Sequence, residues 1–428
     1  MVDKSLKTER IRLQEYGAPA IFSCEDIDVQ LVKEANRRWS DELGLASEPI
    51  RIEELRNGRV KLRAERVTGV VRLGETDIEI SPKFLEPNGR NWQIVLWQIL
   101  NVVEGGLIDD FEVAADRIDF LSIPDLLAEL FLASYAKGTV RGLPRSYMGY
   151  QGVGSMLRGS FDSSRIDEWI AQPWNLPFES DVLTENTALT RLLNWAAATL
   201  AATVKSPSRL HRLREILAQL SHVGRIPPHL LDAQQIHLGT QHRALESAKM
   251  VAVLLLEGGG IHHGRGSEAL SGFLWKSDEI YENFIFWLCN RAANRIGLRI
   301  DKRTIKLGSL VQGEGMALVT TPDVVIRDLE DNPIAIMDAK YKRLGGRPKS
   351  SDTYQVLAAA HALGCSQAGL VYPASSDRGK TVWEVPSNVD GSEIRLTALP
   401  INLMALLQKD GSSQLVDTIQ RWLLQACR

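Results

Sequence analysis

Residues 321–340, TPDVVIRDLEDNPIAIMDAK, hold the stretch on which the fold reading turns. Two apolar runs, Val324 to Ile326 and Pro333 to Met337, flank the polar, turn-rich segment Arg327 to Asn332, a pattern that predicts an antiparallel hairpin. If the turn centres between Glu330 and Asp331, Asp323 stands directly opposite Asp338, where Cβ atoms lie roughly 4.5–5.5 Å apart. Asp338 and Lys340 are two residues apart and share one strand face. Two opposed carboxylates suit a hard divalent cation, Mg²⁺ or Mn²⁺. An ammonium on the same face can orient an attacking water or neutralise charge developing on phosphorus. The bland alternative is a surface hairpin with ordinary charges.

Working outward, the order is helix (Asp278 to Arg295), strands (Leu298 to Ile305, Ala317 to Ile326, Pro333 to Tyr341), helix (Ser351 to Leu363), strand (Gln367 to Tyr372) and a final helix (Gln414 to Ala426). Glu282 on the first helix is a candidate third carboxylate and metal ligand with Asp323 and Asp338. It is preferred to Glu279, which with Asp278 can simply favour the helix dipole. Tyr354 and Gln355 open the next helix. Gln355 can contact a phosphate or a metal-bound water, and Asp352 can cap the helix. Between Lys340 and Lys349 lie five basic residues and no acid, a loop suited to a phosphate backbone or merely solvated. Lys342, Arg343, Arg347, Lys349 and Tyr354 are the candidate DNA contacts.

The remainder reads as an α+β multidomain chain. Residues 1–115 are β-rich, with a meander at Val60 to Phe84 and helices at Asp26 to Leu43 and Trp92 to Val103. Residues 116–265 read as mostly helical (Leu126 to Tyr135, Thr184 to Val204, Arg209 to Leu220, Gln241 to Leu256), with a loop-rich stretch at Arg141 to Asp181. A Gly-rich linker, Glu257 to Gly266, precedes an α/β domain at 266–428. His262 and His263 in that linker have no matching Cys or third His nearby. Ala374 to Thr381 imitates a phosphate-binding loop, but Val382 to Pro386 reads as a strand rather than the helix such a loop must open, so a hairpin turn is expected there.

Composition narrows the class. With 44% hydrophobic and 24% charged residues the chain is neither disordered nor collagen-like. The longest apolar run, Met250 to Leu256, is too short to span a membrane. The charged N-terminus carries no secretory signal, and the four scattered cysteines show no CxxC spacing, so a cytoplasmic protein without a zinc site is expected. A net charge of −3 means that any nucleic-acid contact is made by a local patch.

The residues Pro322-Asp323, Asp338-Ala339-Lys340 and Thr353-Tyr354-Gln355 resemble the PD-(D/E)xK nuclease fold. Further stretches make the likeness narrower: Gly69-Val70-Val71 with Ile78-Glu79-Ile80-Ser81-Pro82-Lys83; Met156-Leu157-Arg158-Gly159; and Asp181 with Thr184-Glu185-Asn186-Thr187-Ala188-Leu189. Together these resemble McrC, the nuclease subunit of the McrBC modification-dependent restriction system, over about 60–375. The family often has an aromatic residue a turn beyond the Tyr-Gln, where this chain has Ala359, Ala360 and His361. The resemblance implies a Mg²⁺-dependent DNA endonuclease with Asp323, Asp338 and Lys340 as catalytic trio and Glu282 and Gln355 in support. It implies docking on a hexameric McrB-like AAA+ NTPase through a finger in the N-terminal β-rich region, and double-stranded DNA, modified or not, as substrate. Two rivals follow from the same residues: a stand-alone repair or recombination nuclease, and a non-catalytic activator of an AAA+ motor.

Overall fold

Alternate residues of Arg59–Ala64 are buried, Val60, Leu62 and Ala64 facing inward, as a half-buried strand requires. The computed structural model describes residues 10–23, 27–56, 58–73, 76–85, 91–103, 123–257, 261–263, 270–308, 317–386, 393–408 and 410–427. The chain divides into two units, Met1–Ile123 together with Gly264–Arg428, and Pro124–His263. Among the described residues there are eleven α-helices, and none is long and apolar enough to cross a membrane.

The N-terminal part of the first unit contains β1 (Arg10–Gln14), β2 (Ala20–Ser23), α1 (Val29–Glu42), β3 (Ile50–Leu55), β4 (Arg59–Ala64), β5 (Val67–Leu73), β6 (Thr76–Ser81) and α2 (Asn91–Val103). Strands β2, β4 and β3 form one antiparallel sheet; β1 pairs in parallel with β6, and β5 pairs antiparallel with β6. Helix α1 starts at Val29 because Asp28 caps it, its carboxylate accepting the N–H groups of Gln30 and Leu31 at 3.0 Å. The expected start at Asp26 lies outside the described residues. The buried Asn36 side chain pins α1 to β3 by bonding both the N–H (3.0 Å) and the C=O (2.6 Å) of Ile50. All of β6 is buried, including Asp77 and Glu79, which ion-pair with Arg72 (2.8 Å) and Arg12 (3.7 Å). Its polar positions therefore do not face solvent as simple alternation implies.

The second unit contains α3 (Ile123–Gly138), β7 (Ser146–Gly154), β8 (Ser160–Phe161), α4 (Ile166–Ala171), β9 (Leu176–Thr184), α5 (Ala188–Thr203), α6 (Pro207–Gln219), α7 (Leu230–Gln234), α8 (Glu246–Glu257) and β10 (Ile261–His263). Helix α5 begins four residues later than the expected Thr184. Thr187 caps it reciprocally with Thr190, whose hydroxyl does the work of the usual Glu or Gln. The expected loop between Arg141 and Asp181 is instead a sheet: β7 pairs with β9 from Ser146↔Thr184 to Gly154↔Leu176, and β8 lies on the other edge of β9. Most of β7 is exposed, so no buried face imposes the apolar alternation by which a strand is read.

The C-terminal part of the first unit contains β11 (Leu270–Lys276), α9 (Ser277–Arg295), β12 (Arg299–Asp301), β13 (Ile305–Gly308), β14 (Leu318–Thr320), β15 (Val324–Arg327), β16 (Pro333–Ala339), α10 (Ser350–Leu363), β17 (Gln367–Ala374), β18 (Thr381–Pro386), β19 (Glu393–Asn402) and α11 (Gly411–Ala426). Strand β11 pairs with β5, joining the two ends of the chain in one sheet. Gly69 permits this: its φ is +146°, and a Cβ there would meet Phe273 O at 2.2 Å.

Six strands form the sheet β12-β15-β16-β17-β19-β18, with β16, β17 and β19 parallel. Helix α10 makes the crossover from β16 to β17 and stops at Gly364, in the left-handed region at φ +68°. Val325, Ile336, Leu370 and Tyr372 pack against Val356, Ala359 and Ala360 of α10. On the opposite face Cys289 of α9 touches Met337 (3.4 Å), and Trp422 of α11 closes over Gly369. Burial on both faces explains the nearly continuous apolar runs of β16 and β17.

Three local expectations change. The strand expected at Leu298 to Ile305 is two short strands in different sheets, β12 beside β15 and β13 beside β14. The strand expected at Ala317 to Ile326 breaks at Thr321–Asp323, where Pro322 lacks the N–H a ladder needs. Residues 375–380 are not a hairpin turn, because β17 and β18 lie on opposite sides of β19. They lead into a strand and not a helix, so no phosphate-binding loop forms there.

Candidate active site

The β15–β16 ladder runs Val324↔Met337, Val325↔Ile336, Ile326↔Ala335, with an irregularity only at the turn side of Ile326. One step past the last pair, the same register sets Asp323 against Asp338. Pro322 and the strand break leave Asp323 without a ladder bond there. Its Oδ2 instead accepts the Ala339 N–H at 2.8 Å, so a side chain replaces the backbone ladder at the strand end. Asp323 and Asp338 are 8% and 3% exposed, so both carboxylates are withdrawn from water. Burial, with the Asp323 charge adding to it, pushes Asp338 above the ordinary aspartate range, against the pull of Lys340. Lys340 is ion-paired with Asp338 Oδ2. Its ammonium also donates to Gln355 Oε1 at 3.2 Å, which ties the end of β16 to the second turn of α10.

Glu282, not Glu279, approaches this pair; Glu279 is engaged with Lys276. Lys302, the residue after β12, stands between Glu282 Oε2 (3.5 Å) and Asp323 Oδ1 (3.3 Å). Burial and the Asp323 charge raise Glu282, while Lys302 opposes them. Burial lowers Lys302, but Asp323 and Glu282 outweigh it and hold the ammonium above its ordinary value. Nothing local marks Lys302 in the sequence. Only the β12–β15 pairing, Asp301↔Val325, brings it to Asp323.

Three carboxylates and two ammonium groups leave the cluster one formal negative charge. Among the described residues no group of three or more His, Cys, Asp or Glu side chains is drawn together enough to hold one metal ion. The donor chemistry fits a smaller set: two aspartates, all oxygen, which suits Mg²⁺ because that ion commonly takes one or two carboxylates and fills its remaining positions from water and phosphate.

The other expected residues separate. Lys342 is ion-paired with Asp352, so Asp352 does not cap α10; the cap position is Lys349, with no side-chain bond. Arg343, Arg347 and Lys349 are exposed around a turn held by a Gly345–Arg347 bridge. Tyr354 is 70% exposed, leaving its ring open to a ligand.

A family model described as McrBC 5-methylcytosine restriction system component matches residues 62–373. The chain belongs to the McrBC family. Its fold resembles that of a chain in the refined half-complex from the tetradecameric assembly of Thermococcus gammatolerans McrB AAA+ hexamers with bound McrC, with TM-score 0.63, 18% identity, and coverage of 97% of this chain and 99% of the other. The cryo-EM structure of the Thermococcus gammatolerans McrBC complex also contains a similar chain, with TM-score 0.45, 16% identity and coverage of 66% and 88%. No curated protein matches the sequence. The matched span takes in β5, β6, the whole second unit and the strands β15 and β16 with Asp323, Asp338 and Lys340 in or beside them, so this member of the McrBC family holds its candidate site inside the family region.

Proposed function

We propose that the chain is the McrC-like nuclease subunit of an McrBC-type defence complex and hydrolyses DNA phosphodiesters with Mg²⁺, Mn²⁺ serving in its place. The observation that carries this reading is the Asp323/Asp338 pair at adjacent strand ends with Lys340 on the same site. Its setting, an antiparallel hairpin running into parallel strands crossed by α10, supports a PD-(D/E)xK restriction-endonuclease-like domain.

Asp323 and Asp338 would hold the ion, which supplies Lewis acidity and an activated water when bound. Lys340 stabilises charge on the non-bridging phosphate oxygens as the bond to phosphorus forms. Gln355 holds the Lys340 ammonium in place, and Glu282 supports Asp323 by sharing the Lys302 ammonium with it. Arg343, Arg347 and Lys349 attract the backbone, and the Tyr354 ring offers an exposed surface beside them.

The partner in this reading is a hexameric McrB-like AAA+ NTPase, as in the Thermococcus assembly. For its docking element we favour the β7–β9 arm over any segment of 1–115. Tyr147, Met148, Tyr150, Met156 and Trp174 are all more than half exposed along it, an apolar set that a soluble chain leaves open for a partner.

The test is cleavage of duplex DNA in Mg²⁺ by wild type and Lys340→Ala, each with and without the motor and its nucleotide. Cutting only by wild type with motor is the expected result. Cutting by wild type alone favours a stand-alone nuclease. Motor stimulation without any cutting reduces the chain to an activator.

A further inference from the structure

Tyr341 stands between Lys340 and Lys342, yet it belongs to a different neighbourhood. Lys340 and Lys342 reach Gln355 and Asp352 of α10. Tyr341 turns instead to the N-terminal strands. Its hydroxyl donates to Glu15 Oε2 at 2.8 Å, across 326 residues of chain. The Lys83 ammonium lies 4.0 Å from the centre of the Tyr341 ring and also stands over Tyr16 (5.1 Å) and Phe84 (5.4 Å). Phe84 meets the Tyr341 ring edge-on at 5.1 Å. Glu15 is 1% exposed and also accepts the Lys83 backbone N–H at 3.3 Å.

The parallel pairing of β1 with β6 explains how Glu15 and Lys83 meet. Gln14 is opposite Ser81, Glu15 N–H donates to Ser81 O at 2.9 Å, and Glu15 lies one residue and Lys83 two residues beyond these strand ends. The cluster touches a second arm of the candidate site. Tyr281, the neighbour of Glu282 on α9, lies 5.7 Å from Tyr341 ring to ring. One packed group of side chains therefore abuts the residues adjoining both Lys340 and Glu282.

Such a cluster is a poor way to gain stability. Burial raises Glu15 and lowers Lys83, the sign that both charged forms are held out of water at a cost. What such a Glu–Lys–Tyr set supplies is direction: the tyrosine hydroxyl donates to Glu15, and the Lys83 ammonium stands over the ring face.

We propose that Glu15, Lys83 and Tyr341 are positioning residues, by which the N-terminal strands clamp the Asp338–Lys340 strand end and the Glu282 turn of α9 in working geometry. This rests on the nuclease reading above. It adds that the N-terminal part of the chain is a component of the cutting site and not only an appendage to it.

The experiment uses the full chain with its motor and nucleotide, and compares Tyr341→Phe, Glu15→Gln, Glu15→Ala and the core control Ile394→Val. Single-turnover cleavage, DNA affinity, melting temperature and amide exchange of the 338–342 segment are read together. Tyr341→Phe keeps the ring under Lys83 and loses only the hydroxyl. It should melt close to wild type, bind DNA as tightly, cut about tenfold more slowly, and exchange faster at 338–342. Glu15→Gln retains an acceptor for the hydroxyl and should cut nearly as fast as wild type although it is less stable, whereas Glu15→Ala should cut as slowly as Tyr341→Phe. Ile394→Val should lose stability without losing rate. Cleavage that follows melting temperature across all four variants overturns the proposal, as does unchanged exchange at 338–342 in Tyr341→Phe. If wild type itself does not cut, the nuclease reading falls, and the exchange result alone still decides whether the clamp exists.

Discussion

Asp323 Oδ2 accepts the backbone N–H of Ala339 at 2.8 Å, so this carboxylate fastens the strand that carries Asp338 and Lys340 as well as facing them. Asp323→Asn keeps an acceptor and should fold with little loss, yet it should lose cleavage and Mn²⁺ binding. Asp323→Ala removes the acceptor and leaves a buried N–H unsatisfied, a cost of about 1–3 kcal/mol. Urea unfolding of the two variants beside Mn²⁺ titration separates the roles. Equal stability of Asn and Ala variants would show that the Ala339 bond does not hold the strand.

Lys302 neutralises Glu282 and Asp323 from 3.5 and 3.3 Å. A divalent ion at the aspartates competes with that ammonium. Lys302→Met should tighten Mn²⁺ binding by about fivefold at low salt and by less at high salt, because its side chain is half exposed and screened. Titration followed by the Mn²⁺ resonance signal measures this directly; an unchanged affinity would remove Lys302 from the site.

The Glu15–Lys83 pair gives a pH dependence of definite sign. Glu15 is raised, so between its ordinary and its raised value the folded chain binds more protons than the unfolded one, and stability falls as pH rises through that window. Lys83 is lowered, so stability rises again between its lowered and its ordinary value. The burial cost is greatest between the two windows. Removing one partner there should cost about 2 kcal/mol, while Glu15→Gln with Lys83→Met together should recover most of it. Melting curves over pH form the check; additive losses would mean that the two charges do not interact.

Gly69 allows β5 and β11 to approach, with Phe273 O at 2.2 Å from where a Cβ would stand. Gly69→Ala should cost about 3 kcal/mol, since backbone must move. It should also weaken cleavage, because β11 leads directly into the helix of Glu282. Chemical denaturation with a cleavage assay tests both.

Trp174, on the exposed arm, is 70% accessible and should contribute within about 0.5 kcal/mol to stability. In the proposed complex Trp174→Ala should nonetheless reduce stimulation of the motor's hydrolysis. Full stimulation by this variant would move the docking element elsewhere.

The Asp323–Asp338 register was legible because its causes are close together in the chain. Apolar runs on either side of a polar turn define a hairpin, and the hairpin determines which residues oppose. Asp338 and Lys340 follow from the two-residue period of a strand. The β7–β9 arm was not legible, since strands exposed on both faces carry no buried alternation. Asp352 was misread as a cap because a residue in a first helical turn is equally placed to pair with a lysine, and Lys342 was in reach.

From the sequence alone came the hairpin, its register, the helices on either side and the chemical character of the candidate site, all products of contacts between near neighbours in the chain. The tertiary structure alone brought Lys302 to Asp323 and Glu15 and Lys83 to Tyr341. Those contacts depend on which strands pair and on how the two ends of the chain meet in one unit. Their physical cause is burial of shared apolar surface, which constrains the path of the whole chain and leaves no local pattern at the residues it joins.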